Sequence, residues 1–176
     1  NVAHRIGQGS TDSSSLIQYV ADQFDPSVTW DDMAWMIEEW GGPFAIKGIL
    51  SPADARRAVD IGASAVWVSN HGGRQLDGAL SSIRALEPIV DAVGDKIEVH
   101  VDGGVRSGQD VLKAVALGAK GTMSGRAWLY GLGAMGEAGV TKALEVIHKE
   151  LDTTMALCGH RDIKDVGRDI LLIPED

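Results

Sequence analysis

The sequence predicts an α/β fold of four parallel strand–helix units, which together form half of a (β/α)8 TIM barrel. Short apolar strands alternate with amphipathic helices, a pattern typical of parallel sheets. A set of helix-capping and glycine positions occurs twice along the chain, which indicates repeated units. Each predicted strand is also followed by a polar or charged side chain. A small doubly wound sheet is the alternative that the alternation by itself allows.

The chain begins with a polar segment rich in Ser, Gly and Asp, residues 1–27, which we interpret as a mobile loop. The domain proper is predicted to cover residues 28–176. The apolar side chains within residues 16–24 are expected to pack onto this domain. Contact with a membrane or a partner is the alternative for them.

Helix signals separate the apolar runs. Ser51-Pro52-Ala53-Asp54 combines a capping serine, a proline in the first helical position and an acid in the first turn. Thr29 is expected to cap the first helix in the same way. The predicted helices cover residues 29–40, 51–62, 80–93, 107–118 and 140–157. The predicted strands cover residues 44–46, 65–68, 97–101 and 121–124.

The repeat supports these boundaries. Both copies place a capping serine, an acid in the first helical turn and a terminating glycine at a constant offset. Agreement of so many structurally meaningful positions by chance is improbable, so the units are expected to stack. Gly48, Ser51, Asp54, Ala58, Val59, Gly62 and Ala63 recur as Gly104, Ser107, Asp110, Ala114, Val115, Gly118 and Ala119.

The polar residues that follow the strands favour the barrel over the open sheet. They are Lys47, His71, Asp102 and Arg126. In a (β/α)8 barrel the carboxyl ends of the strands share one face, and that face carries the active site. An open sheet would spread the same residues along an edge.

His71 is the sharpest candidate for chemistry. It follows an apolar strand, and Gly72-Gly73 permits an unusual backbone path. An imidazole is suited to act as a general base near neutral pH, whereas the plainer interpretation is a histidine bonded to loop backbone. Arg74 follows closely and can grip a carboxylate through two parallel hydrogen bonds. A base beside a carboxylate clamp is suited to a substrate that is an α-substituted acid.

Two Gly-Arg turns predict a phosphate site. The run Asp102-Gly103-Gly104-Val105-Arg106 joins a strand to a helix, and Ser124-Gly125-Arg126 follows the next strand. Free amides and arginines at such positions bind phosphate, although each arginine by itself could form a surface ion pair. Either a phosphorylated cofactor or a phosphorylated substrate of a different barrel enzyme would fill this site.

The net charge, the cysteine count and the lengths of the apolar runs argue against several classes of function. A net charge of −9 argues against nonspecific nucleic-acid binding. Cys158 is the single cysteine, which leaves no thiolate metal site, and no metal is predicted. No apolar run approaches the roughly 18 residues of a membrane span. Gly131-Leu132-Gly133-Ala134-Met135-Gly136 matches a dinucleotide-binding pattern, but it does not directly follow a strand, and we expect its glycines to ease the approach to the last helix.

These motifs resemble the FMN-dependent 2-hydroxy-acid dehydrogenase and oxidase family. The family includes glycolate oxidase, mandelate dehydrogenase and bacterial L-lactate dehydrogenase, and the resemblance is greatest to the last group. The matching segments fall in the family's order and cover about residues 24–158. They are Ile46-Lys47-Gly48-Ile49-Leu50, residues 69–78, residues 102–108 and Ser124-Gly125-Arg126.

The resemblance implies that the chain forms the last four units of the barrel and that the phosphorylated ligand is FMN. It implies oxidation of an L-2-hydroxy acid to the 2-oxo acid. His71 would be the base and Arg74 would bind the substrate carboxylate. Lys47 would contact the flavin and stabilise negative charge on it when reduced, and Ser69 would also contact the flavin. The residues implied to hold the ribityl phosphate are Asp102, Gly103, Gly104, Val105, Arg106, Gly125 and Arg126.

The family's first four strands have no counterpart in this chain, and the acid that orients the base lies among them. The chain is therefore expected to begin inside a loop and to need an N-terminal half, which could be a separate chain. Without that half it is expected to be an FMN- or phosphate-binding half-barrel without catalysis. A homo-oligomer in the cytoplasm is expected, with peripheral contact at the inner face of the membrane as a further option. The particular acid and the electron acceptor stay open.

Overall fold

A computed structural model describes residues 18–173 of the chain. Within these residues, four parallel strands form one sheet in the order β1-β2-β3-β4, which is also their order in the sequence. The strands are β1 (Ala45–Ile49), β2 (Ala65–Val68), β3 (Glu98–Asp102) and β4 (Gly121–Met123). A helix separates each strand from the next, and the predicted α/β architecture is confirmed.

Six helices between residues 30 and 157 accompany the sheet. They are α1 (Trp30–Trp40), α2 (Pro52–Asp60), α3 (Ser82–Val93), α4 (Gly108–Ala116), α5 (Arg126–Met135) and α6 (Glu137–Leu157). Short 3-10 turns occur at His71–Gly73, Ile163–Asp165 and Arg168–Ile170. The predicted caps of α1, α2 and α4 are present, because Thr29, Ser51 and Ser107 each accept a backbone N–H of the first turn.

The two faces of the sheet differ. One face packs against the helices through the core, whose fully buried members include Val66, Val68, Val99, Leu86 and Ile89. Side chains alternate along a strand, so the residues between these point to the opposite face. The register aligns Lys47, Trp67, His100 and Gly121 on this second face, where Lys47 is exposed and the other three are half-buried.

The end of β1 differs from the prediction. Lys47 was expected to follow the strand, but it lies in the middle of β1, and pairing with β2 resumes at Ile49 after an irregularity at Gly48. Gly48 has a φ of 98°. A glycine there permits a local bulge without ending the strand, and the buried Ile49 continues the core.

Helix α5 was not predicted from the sequence, which only indicated that its glycines ease the approach to the last helix. Gly131 and Gly133 lie inside α5, and the backbones of Gly131 and Gly139 are in direct contact where α5 meets α6. Glycine disfavours a helix by about 1 kcal/mol relative to alanine, but here it allows two helices to touch backbone to backbone. The glycine pattern therefore serves helix packing, and the final helix starts earlier than predicted.

The C-terminal segment returns to the domain. Val166 is buried against Leu112 and Ala116 of α4, and Arg168 forms an ion pair with Glu87 of α3. At the other end, residues 18–21 are helical, while the rest of the predicted mobile loop up to residue 17 lies outside the described residues. Within the described part, Val20 and Phe24 are 45% and 65% exposed, so these two side chains do not pack onto the domain as expected.

Candidate active site

The carboxyl ends of the strands bring several predicted residues together. Ser69 follows β2 directly and is 1% exposed. The Lys47 ammonium donates a hydrogen bond to Ser69 Oγ at 2.9 Å and forms an ion pair with the Asp102 carboxylate at 2.8 Å. Three predicted cofactor residues that lie in, or directly after, three neighbouring strands therefore make one hydrogen-bonded cluster. The Lys47 side chain is still 44% exposed, so its charge can reach a bound molecule.

His71 occupies a strained turn. Its φ is 55°, a left-handed conformation that is rare for residues other than glycine, and Gly72 and Gly73 continue it with φ of 69° and 72°. Such strain costs roughly 1–3 kcal/mol and is concentrated at functional sites. The N–H of His71 donates to Ser69 Oγ at 3.1 Å. Ser69 thus links the turn to Lys47.

Two residues that the sequence analysis missed hold this turn. The Asn70 side-chain oxygen accepts the N–H of Gly72 at 2.9 Å. The N–H of Asn70 donates to Ser82 Oγ at 3.2 Å, and Ser82 is 2% exposed. An asparagine before a left-handed turn is a recognisable signal. Ser82, twelve residues away from Asn70 in the chain, carries no such signal.

Three predicted arginines are exposed and available to anions. Arg74, Arg106 and Arg126 are all exposed, and none forms an ion pair within residues 18–173. Arg126 is the first residue of α5, and its Nη2 lies against Gly72, 3.3 Å from where a side chain on that glycine would begin. The second predicted phosphate turn is therefore adjacent to the His71 turn. Positive charge gathers here although the chain is acidic overall.

The two predicted phosphate-binding turns, residues 102–106 and 124–126, are joined by a hydrogen bond. Gly103 and Gly104 have φ of 91° and 81°. In the described part of the chain, no hydrogen-bond partner is found for the N–H groups of Gly103, Gly104 and Val105. Ser124 Oγ donates to the carbonyl of Val105 at 2.8 Å and joins this loop to the start of α5. No side chain caps α5, whose first amides are therefore open to an anion.

The start of α4 does not contribute free amides as the sequence suggested. The Asp110 carboxylate accepts the N–H groups of Arg106 and Ser107 at 3.0 and 3.1 Å. Burial disfavours ionisation of Asp110, but these bonds and the Ser107 hydroxyl outweigh it and hold the pKa of this carboxyl below its ordinary value. The open amides are those of residues 103–105 and of the first turn of α5, and Arg106 offers its side chain.

The second face of the sheet continues below the site. Trp67 stacks on His100 with ring centroids 5.2 Å apart, and His100 Nε2 lies 2.9 Å from the Glu98 carboxylate. Gly121 leaves room for the His100 ring, because a side chain there would begin 2.7 Å from Nδ1. Trp67 Nε1 is buried and has no hydrogen-bond partner within the described residues. Buried donors of this kind are ordinarily hydrogen-bonded, so Trp67 Nε1 is an exception within the described residues.

Two open depressions lie along α5 and α6, one beside Met135 and Thr141 and the other extending from Gly131 to Arg106. The second depression therefore reaches one of the residues predicted to bind phosphate. His71 and Lys47 line neither depression and lie on an exposed surface.

The family model of the FMN-dependent dehydrogenases matches residues 2–173. An L-lactate dehydrogenase of Caulobacter vibrioides is 53% identical over 171 residues, which are 97% of this chain and 44% of that protein. An L-lactate dehydrogenase of Pectobacterium atrosepticum is 51% identical over 172 residues, 98% of this chain and 44% of that protein. The chain therefore spans less than half the length of these relatives.

Solved structures show the same fold. The monotopic membrane protein (S)-mandelate dehydrogenase superposes with a TM-score of 0.85 at 38% identity, over 94% of this chain and 44% of that one. A mandelate oxidase crystallised with benzoyl-formic acid superposes with a TM-score of 0.79 at 47% identity, over 84% of this chain and 44% of that one. The four strand–helix units thus correspond to part of a barrel in larger enzymes.

Proposed function

The chain belongs to the FMN-dependent dehydrogenase family, and we propose that it carries the base, the carboxylate-binding arginine and part of the FMN site for oxidation of an L-2-hydroxy acid to the 2-oxo acid. A lactate-like acid is the substrate we favour, because relatives about half identical to the chain are named L-lactate dehydrogenases. The observation that carries the proposal is the strained His71 turn, which lies between a buried serine and an exposed arginine.

His71 and Arg74 act on different groups of the substrate. Oxidation of a 2-hydroxy acid removes two electrons and two protons, and one proton passes to an imidazole nitrogen of His71. Arg74, three residues on and exposed, donates two parallel hydrogen bonds to the substrate carboxylate. This grip fixes the reacting carbon relative to the imidazole, which is worth several kcal/mol when the geometry is right.

The strand-end residues fit FMN. The open amides of residues 103–105, the uncapped start of α5 and the side chains of Arg106 and Arg126 suit a phosphate. Lys47, held by Ser69 and Asp102, places a positive charge where a reduced ring system would be negative. When bound, FMN would accept the two electrons and the second proton of the oxidation.

A further half of the barrel is the partner we propose, either as a separate chain or as part of a longer one. Strands β1 and β4 are the edges of the described sheet, and open edges attract further strands. The second face of the sheet, on which Lys47 is exposed and Trp67 and His100 are only half-buried, supports the same proposal. We also propose that the complete protein is a homo-oligomer, which sedimentation of the flavin-loaded material would test.

The experiment that tests the catalytic role compares two histidine variants of the chain assembled with an N-terminal half. In His71→Ala, FMN stays bound, as seen in the visible spectrum, but L-lactate no longer bleaches it. His148→Ala, at an exposed position on α6, retains the reduction. Reduction at an unchanged rate in His71→Ala would remove the role proposed for this residue.

The second candidate function is an FMN- or phosphate-binding half-barrel that does not catalyse by itself. It is favoured for the 176-residue chain because, within residues 18–173, no hydrogen bond orients the His71 ring. An imidazole whose second nitrogen has no hydrogen-bond partner is a poor base. Yellow protein that no 2-hydroxy acid reduces would support this function for the isolated chain. Full turnover by the isolated chain would contradict both it and the need for another half.

We propose a cytoplasmic location with peripheral contact at the membrane. Within residues 18–173, no helix is long and apolar enough to cross a bilayer. The exposed side chains of Val20, Phe24 and Val28 offer an apolar surface, and a similar solved enzyme is described as monotopic. Flotation with lipid vesicles should carry the wild-type protein and leave Phe24→Ser behind. Equal flotation of both would argue against contact through this segment.

A further inference from the structure

The imidazole of His71 rests on a glycine of the neighbouring strand. Gly48 lies at the irregularity in β1 and has a φ of 98°. A methyl group built on Gly48 would lie 3.2 Å from Cε1 and 3.9 Å from Nδ1 of His71. Carbon atoms in good contact are about 3.5–4.0 Å apart. The ring therefore occupies space that is free because residue 48 has no side chain.

We propose that Gly48 is a positioning residue for His71, which it seats in the orientation that the base requires. The inference rests on the proposed role of His71 and adds a second strand to the site. Backbone bonds fix where His71 is attached: its N–H donates to Ser69 Oγ, and Asn70 holds the N–H of the next residue. They leave the ring free to rotate about its side-chain torsions, and contact with Gly48 limits that rotation from one side.

A side chain at position 48 is expected to turn the ring rather than move the turn. The backbone of the turn is bonded to the buried Ser69, whereas the His71 side chain is exposed and can yield. The imidazole would then swing away from β1 while Lys47 and the phosphate-binding loop keep their places. An added methyl group 3.2 Å from Cε1 requires the ring to move by a few tenths of an ångström. Because misplacement of a reacting group by about 1 Å costs up to about 100-fold in rate, this smaller movement is expected to slow the reaction by less than that.

The first test is made on the wild-type chain with 13C-labelled histidine, with the His71 signal assigned from His71→Gln. A nuclear Overhauser effect is expected between the Cε1 proton of His71 and the α-protons of Gly48. Its absence in the folded protein would overturn the proposal. This measurement needs no FMN and no substitution at position 48. It therefore tests the contact between His71 and Gly48 even if the variant described next does not fold.

The second test substitutes the glycine. Gly48→Ala should change the His71 chemical shifts. Gly159→Ala is the matched control, because Gly159 also has a positive φ, 81°, but nothing lies within 4 Å of an added methyl group. The control should lose stability similarly and leave the His71 signals unmoved. Unchanged His71 signals in a folded Gly48→Ala protein would overturn the proposal.

In the FMN-loaded protein, Gly48→Ala should slow flavin reduction at saturating L-lactate by up to about 10-fold and shift its pH profile. The two proposals fail in different ways. If His71→Ala reduces flavin normally, the base assignment is wrong, although the ring can still rest on Gly48. If His71 is essential but Gly48→Ala reduces flavin at the wild-type rate, Gly48 does not position the base.

Discussion

The first and third strand–helix units repeat one sequence pattern but use it differently. In the first unit, Asp54 accepts the hydroxyl hydrogen of Ser51, which caps α2. In the third unit, Asp110 accepts the Ser107 hydroxyl and also two backbone N–H groups, so it fixes the loop before α4 as well as the helix. That loop is the one proposed to bind phosphate. Equivalent residues thus cap a helix in one unit and shape a binding loop in the other.

The glycines of the two units differ in the same way. Gly48 and Gly104 correspond in the repeat and both have positive φ, but the His71 ring covers the first and nothing lies within 4 Å of an added methyl group on the second. The missing side chain at Gly48 accommodates the His71 ring, and the one at Gly104 leaves the backbone uncovered. The glycine in each unit allows the positive φ, and the residues of the neighbouring unit determine whether that glycine is covered or exposed.

The largest expected difference between the units lies at the glycines that end their helices. A methyl group on Gly118 would lie 2.6 Å from Cγ1 of Val90, whereas one on Gly62 would lie 4.0 Å from Ile37. Both positions have positive φ, which costs an alanine about 1–2 kcal/mol. Gly118→Ala adds about 1–3 kcal/mol of overpacking, because β-branched Val90 rotates with difficulty.

Urea unfolding of the two variants under identical conditions measures this difference. Gly118→Ala should lower the free energy of unfolding by about 2–5 kcal/mol and Gly62→Ala by about 1–2 kcal/mol. Equal losses would mean that helix α3 shifts to admit the methyl group, and that the units are packed more alike than their contacts indicate.

A smaller difference is expected at the capping acids. Asp110→Ala removes the acceptor of three hydrogen bonds, and we expect it to cost about 1–2 kcal/mol. Asp54→Ala removes the partner of the Ser51 hydroxyl and should cost less than about 1 kcal/mol. In the FMN-loaded protein, the first variant should also weaken FMN binding, because the loop at residues 103–106 loosens. Equal FMN affinity in both variants would contradict the role given to Asp110.

The sequence predicts most of this fold because its signals are local. The caps at Thr29, Ser51 and Ser107 depend on side chains that bond their own helix. Gly62 and Gly118 were predictable as helix ends because the backbone adopts a positive φ there, which favours glycine. The candidate base was also predictable, since His71 precedes two glycines that permit its turn.

The remaining features depend on partners distant in sequence. Helix α5 contains glycines that disfavour it locally and are explained by contact with Gly139 of α6. Ser82 supports the His71 turn from another element, and Gly48 seats a ring that belongs to the next strand–helix unit. The residues that neighbour these positions in the sequence contain no pattern that predicts such contacts. The extension of β1 past Lys47 was missed for a related reason, because the pairing that continues it comes from β2.

The smallest expected effect concerns pH. Burial raises the pKa of Asp110, but hydrogen bonds from Arg106 and Ser107 lower it further, so the folded-state pKa lies below the ordinary value. A lowered folded-state pKa contributes stability that is present above the unfolded pKa of about 3.9 and is lost as the pH falls through the folded value. Asp110→Asn should therefore cost up to about 1 kcal/mol at pH 7, and its difference from wild type should close below about pH 4.

Urea unfolding at several pH values between 7 and 3 measures this closing difference. Leu112→Ala is the control, because it removes a buried apolar side chain of the same helix and changes no titrating group. Its cost should stay nearly constant over the range in which the cost of Asp110→Asn disappears. A constant difference between wild type and Asp110→Asn down to pH 3 would show that the third unit does not hold its loop through the ionised carboxylate. The contrast between the two units would then rest on their glycines.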